Sequence, residues 1–223
     1  MLIKELNKAY WYILSIPKTI YINFKYLRPS DAIRFPIIIS HRVSLAETKG
    51  KVFIDSPHPG MVQIGFDRSG LADMSAHSCW SLSSTANVYF KGKARISSGT
   101  KLIVSGTVIF GKNFNAGENF SLYCANEITF GRDNLLSWNV TVMDHDFHQI
   151  RDSDNALVNA PQAIKLGDHV WIGCHVLILK GSQCSSGNIL AAGSLLTKHL
   201  SGENQLIGGV PATVLKPERF WHV

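Results

Sequence analysis

Between Met143 and His148 the chain reads Met-Asp-His-Asp-Phe-His, with two imidazoles interleaved with two carboxylates. Neutral imidazole is suited to general-base work near pH 7, because its ordinary pKa lies close to that pH. A carboxylate beside it fixes the tautomer and stabilises the imidazolium formed when the proton arrives. This pairing suits removal of a proton from a hydroxyl as it attacks an acyl carbonyl. His145 and His148 are both candidates for the base, with Asp144 and Asp146 as orienting carboxylates. A polar stretch follows through Arg151-Asp-Ser-Asp-Asn155 and ends at Pro161, so the cluster opens a projecting loop at about 143–163.

The elements around this loop follow a period of six. Leu166-Gly-Asp-His-Val-Trp171, Ile172-Gly-Cys-His-Val-Leu177 and Ile178-Leu-Lys-Gly-Ser-Gln183 each open on an aliphatic residue, and the steps continue from Cys184, Leu190 and Leu196. Six fits neither an amphipathic helix nor a two-sided strand. It suits a chain that runs straight, turns a corner and repeats, with three steps closing one triangular coil. Upstream, Val88-Tyr-Phe90, Val108-Ile-Phe110 and Ile128-Thr-Phe130 recur in phase. Ile96, Ala116 and Leu136 align between them, as do Leu102, Leu122 and Val142. Each of these coils reads as three hexads plus a two-residue expansion at a corner. The fold class is mainly β, a parallel β-helix, and an evenly spaced β-sandwich does not explain the shared phase. His169 and His175 take the same place in successive hexads and read as surface or subunit-facing side chains.

From about Phe90 onward the chain resembles the hexapeptide-repeat acyltransferases, closest to the sugar and polysaccharide O-acetyltransferases. His169-Val-Trp-Ile-Gly173 and Gly209-Val-Pro-Ala212 carry the resemblance most specifically. It implies a left-handed β-helix, against the usual right-handed crossover rule. It also implies acetyl-CoA as co-substrate with no metal, a sugar or polysaccharide acceptor, and a homotrimer with sites between subunits. Trp171 matches a tryptophan beside the pantetheine arm, and Gly173 and Ala192 match small residues along it. Thr197, Lys198 and Lys216 match positions near the nucleotide, with Lys216 standing where many relatives carry Arg. Asn119, Asn115 and Tyr123 are the acceptor candidates. The family's catalytic step, counted from Val142, falls on Phe147 with His148 next to it. Polysaccharide O-acetyltransferases often read Asp-Thr-Asp-Phe-His, with Thr at the position of His145. On that basis His148 is ranked ahead of His145.

Three other readings remain open: an acetyltransferase for a small molecule such as an antibiotic or amino sugar nucleotide, a γ-carbonic-anhydrase-like metal protein, and a non-catalytic solenoid. The metal reading lacks a third histidine at a suitable interval. The formal charge of +6 over 223 residues comes from scattered Lys and Arg, which argues against a nucleic-acid partner. The four cysteines lack metal or redox spacing and read as reduced, structural thiols.

The division expected is an N-terminal helical or extended cap at 1–50, a β-helix at 51–200 and a C-terminal tail at 201–223. Ala9 to Ile16 is too short to span a bilayer, Pro17 is expected to end it, and a second amphipathic piece follows from Thr19 to Leu27. No signal peptide is evident, which predicts a cytoplasmic protein. The N-terminal aromatics read either as a cap over the open solenoid end or as a peripheral membrane contact at the inner face. The need to cover strand edges favours the cap.

Overall fold

The computed structural model describes residues 2–66 and 76–222, with side chains from Tyr10 onward. Parallel strands stack into three sheets, of nine, seven and seven strands among the described residues. Successive strands visit the first, second and third sheet in turn, so each coil contributes one strand to each face of a triangular prism. The pattern matches the left-handed β-helix. Stacking reaches back to Ile37–Ile39, inside the segment 1–50 read as cap.

The columns read from the sequence are the strand registers. Ala116 pairs Ile96 and Leu136, Leu122 pairs Leu102 and Val142, and Phe110 pairs Phe90 and Phe130. Alternation along each short strand sends these residues into the prism, where all are buried. The Phe90 and Phe110 rings stack 5.1 Å apart and those of Phe110 and Phe130 5.6 Å apart, and Phe114 packs against both of the latter two. Below the loop the coils tighten to an eighteen-residue spacing, seen in Ile172 over Leu190 and Ile178 over Leu196.

Left-handed backbone turns two of the corners. Asn119, Asn139 and His175 stack with φ of 56°, 56° and 58°, and Asn113, Asp133 and His169 form a similar column at 58°, 57° and 55°. Asn is suited to this region because its short amide bonds locally. Asn119 Nδ2 donates to Asn139 Oδ1 at 3.0 Å, and Asn139 meets His175 Nε2 at 3.3 Å.

The N-terminal edge of the first sheet is covered by helix. α1 (Leu2–Tyr26) lies across the edge strand Ile37–Ile39, and a short α2 (Pro29–Ala32) links them. Asn23 accepts from Ile37 N–H at 3.1 Å and donates to its carbonyl at 2.7 Å. Thr19 Oγ1 accepts from Ile39 N–H at 3.2 Å, and Ser15 Oγ accepts from His41 N–H at 3.0 Å. Four helix residues rise about 6 Å and two strand residues about 6.6 Å, so a polar side chain every fourth position meets every second backbone group. The helix thereby replaces a missing strand.

The expected break at Pro17 does not occur, because the helix runs through it. The exposed Pro17 forfeits one intrahelical bond on the solvent side, while the polar ladder and Lys18, which donates to the His41 and Val43 carbonyls, anchor both flanks. At the far end the strand Ala212–Lys216 folds back antiparallel on Leu206–Gly209. Trp221 then returns to stack on His169, with ring centroids 4.1 Å apart.

Candidate active site

The strand Thr141–Met143 of the second sheet delivers Asp144 to the corner where the chain should enter the third sheet. The coil above supplies two backbone N–H groups there. Ala125 N–H donates to Asp144 Oδ1 at 2.7 Å and Asn126 N–H to Oδ2 at 2.8 Å. Asp144 is fully buried, and this pair of donors stabilises its charge. The Cys124 thiol also lies 3.3 Å from Oδ2; burial, then the adjacent carboxylate, push its pKa well up, so it stays protonated.

His145 Nδ1 lies 2.9 Å from Asp144 Oδ1. An ionised carboxylate only accepts, so Nδ1 is the donor in this contact, and in the neutral ring Nε2 is then the nitrogen with the lone pair. The His145 side chain is mostly buried, with Phe147 packed 4.5 Å from its ring. His148 is exposed, and among the described residues no hydrogen bond orders its ring. The structure therefore joins Asp144 with His145 and leaves His148 on the surface.

The loop itself is a built arm. Gln162 N–H donates to the Asp144 carbonyl at 3.0 Å and closes the base, while Arg151 and Leu157 pair antiparallel further out. Asp146 does not orient an imidazole. It accepts from Lys180 and from Asn159 Nδ2, and the Lys180 ammonium, followed by the Asn159 bond, holds its pKa below the usual carboxylate range. Asn159 also donates to the His148 carbonyl at 2.8 Å and accepts from Ile150 N–H at 2.6 Å, tying the two legs together. A cavity of about 140 Å³ opens beside His145, lined in part by Phe147, His148, Leu157 and Pro161. Asn159 and Lys180 were not legible as site residues, because only folding brings either to the corner.

Of the acceptor candidates, Tyr123 lies on the strand paired with Thr141–Met143, and its ring meets Phe147 edge-on at 5.3 Å. Asn119 and Asn115 are elsewhere on this chain. Asn119 belongs to the corner ladder, and Asn115 donates to the Asn113 carbonyl on the first sheet. The donor candidates are also divided. Thr197 and Lys198 are exposed and follow the strand Leu195–Leu196, on the same prism corner as His145. Trp171 lies half-exposed on the first sheet, with Nε1 3.4 Å from Ser137 Oγ, and Lys216 is exposed on the strand that extends that sheet.

Gly173 is buried where a Cβ would stand 2.6 Å from Ala192 N, so the coils approach closely only without a side chain. Beside it Ala192 is exposed, and a Cβ built on Gly193 would meet nothing within 4 Å. This corner is smooth and open. Among the described residues, no group of three His, Cys, Asp or Glu is placed to hold a metal ion.

The triangular parallel β-helix has counterparts among known proteins. No family model matches the chain. It is 28% identical over 120 residues to the putative lipopolysaccharide biosynthesis O-acetyl transferase WbbJ of Escherichia coli (strain K12), covering 50% of this chain and 61% of that protein. It is 32% identical over 108 residues to the galactoside O-acetyltransferase of the same strain, covering 48% and 52%. The chain thus spans little more than half the length of these curated relatives. Among solved structures, the polySia-specific acetyltransferase NeuO superposes with a TM-score of 0.54 at 21% identity, covering 82% of this chain and 89% of that one. The polysialic acid O-acetyltransferase OatWY gives 0.52 at 20% identity, covering 81% and 70%. Over about half its length the chain is similar to curated O-acetyltransferases, and it shares the β-helix fold of these two solved acetyltransferases.

Proposed function

We propose that this protein is an acetyl-CoA-dependent O-acetyltransferase that acetylates a sugar hydroxyl of a cell-surface polysaccharide or its precursor, working in the cytoplasm as a homotrimer. The observation that carries the reading is the buried Asp144 carboxylate holding His145 Nδ1, in a chain whose curated relatives are named as O-acetyltransferases. Acetyl-CoA supplies an acetyl group activated as a thioester. His145 Nε2 takes the proton of the acceptor hydroxyl as its oxygen attacks the acyl carbon, and the imidazolium then returns that proton to the departing sulfur. Asp144 stabilises the imidazolium in between and needs no proton itself. Phe147 and Tyr123 offer an aromatic wall to the apolar face of a pyranose beside the base.

This reading reverses the ranking of the two histidines. His145→Ala is expected to lower kcat by about 10²–10⁴-fold with acetyl-CoA affinity retained, the usual contribution of a general base. His148→Ala is expected to stay within a few-fold of the unaltered protein. Steady-state kinetics with a panel of hydroxyl and amine acceptors reads both. Full activity in His145→Ala would overturn the assignment of the base, and turnover confined to amines would overturn the proposed chemistry.

A further inference from the structure

α1 presents two opposed faces, and the fold uses mainly one, the other contributing, among the described residues, only a Tyr21 hydroxyl contact with Thr48 Oγ1 at 3.3 Å. Ser15, Thr19, Ile22 and Asn23 point to the β-helix and are spent on covering its open edge. The opposite face carries Tyr10, Ile13, Ile16, Ile20, Tyr21 and Phe24, all exposed, with Ile13 at 62%. At 100° per residue these side chains fall within an arc of roughly 140° that holds no charged residue. The patch continues past the helix. Ile33 and Phe35 are exposed as well, and an apolar groove of about 340 Å³ separates Ile13, Ile16 and Ile20 from Phe35 and Ile38. Nothing among the described residues covers it.

We propose that this face lies in the plane of a lipid bilayer, at the boundary between anionic headgroups and acyl chains. Charge decides the occupant. Exposed Lys25, Arg28 and Arg34 border the patch at the C-terminal end of the helix, and Asp31 is the one acid among them. Self-pairing with a second copy would add cations to cations, whereas an anionic surface complements them. Tyr10, 57% exposed, is an amphipathic ring of the kind that sits at headgroup depth. No described helix is long and apolar enough to cross a membrane, so the contact is along the surface. The proposal stands apart from the acetyltransferase reading and does not depend on it.

Sedimentation of the full chain with vesicles tests it. Phosphatidylcholine vesicles containing phosphatidylglycerol are expected to carry the protein down, those of phosphatidylcholine alone to leave it in solution, and added salt to release it. Ile13→Asp with Ile20→Asp is expected to cut the bound fraction at least about tenfold while leaving the circular dichroism spectrum unchanged, since both side chains are exposed. The charge reversal Lys25→Glu with Arg28→Glu provides a second arm that touches no apolar contact, and is expected to abolish the preference for anionic vesicles. Absence of binding by the unaltered chain, or equal binding by both double variants, overturns the proposal. A fall in sedimentation coefficient of the free Ile13→Asp, Ile20→Asp protein would show a second copy on this face instead, and overturns it too.

Discussion

The site rests on a carboxylate that the solvent never reaches. Asp144 receives two backbone N–H groups and one imidazole N–H, so its charge is satisfied without water. Asp144→Asn keeps the size but turns an NH₂ group toward one of these donors and removes the charge that steadies an imidazolium. The expected result is a loss of about 10²–10⁴-fold in kcat, with a smaller change in KM for acetyl-CoA. The two buried donors lose part of their partner, so stability is expected to fall by about 1–3 kcal/mol, read as a lower melting temperature. Steady-state kinetics and thermal unfolding of the same preparation separate the two effects. The choice between His145 and His148 was not legible in the sequence. Both lie beside an aspartate, and only the N–H pair of a coil some twenty residues upstream makes Asp144 the one that orders a ring.

At the scale of elements, the helix over the edge strand is the feature with the clearest energetic consequence. Asn23 is fully buried and serves both backbone groups of Ile37. Asn23→Ala strands a donor and an acceptor away from water and is expected to cost about 2–4 kcal/mol, read as a lower midpoint in urea unfolding. An exposed change on the same helix, such as Tyr10→Ser, is expected to leave the unfolding free energy within about 0.5 kcal/mol of the unaltered protein's. The strand columns were readable because a strand alternates strictly and a coil repeats, so inward residues recur in phase. The helix was misread at Pro17. Local propensity argues for a stop there, and only long-range bonds from Ser15, Thr19 and Asn23 to the strand edge outweigh it.

For the whole molecule, the way the candidate residues are divided over the prism matters most. His145, Thr197 and Lys198 share one corner of the prism, whereas Trp171 and Lys216 belong to the first sheet and Ala192 to the corner beyond it. Within one chain these groups lie on different faces and corners of the prism, and a ring of identical copies would set one corner against a neighbour's face. Co-expression tests this. His145→Ala and Trp171→Ala are each expected to be inactive alone. Mixed at random in a trimer whose sites take one residue from each neighbour, they are expected to recover about one quarter of full activity. No recovery would place both groups in one subunit's site.

The sequence by itself determined the coil, because burial in a stacked prism demands an apolar residue at every inward step and that demand is written as a period. It also marked where the period breaks, at the loop that carries the Asp144–His145 pair. Which imidazole is ordered, what Asp146 does and how the open edge is covered were decided by the tertiary structure. Each depends on a backbone group or side chain distant along the chain, and partners of that kind leave no local pattern to read.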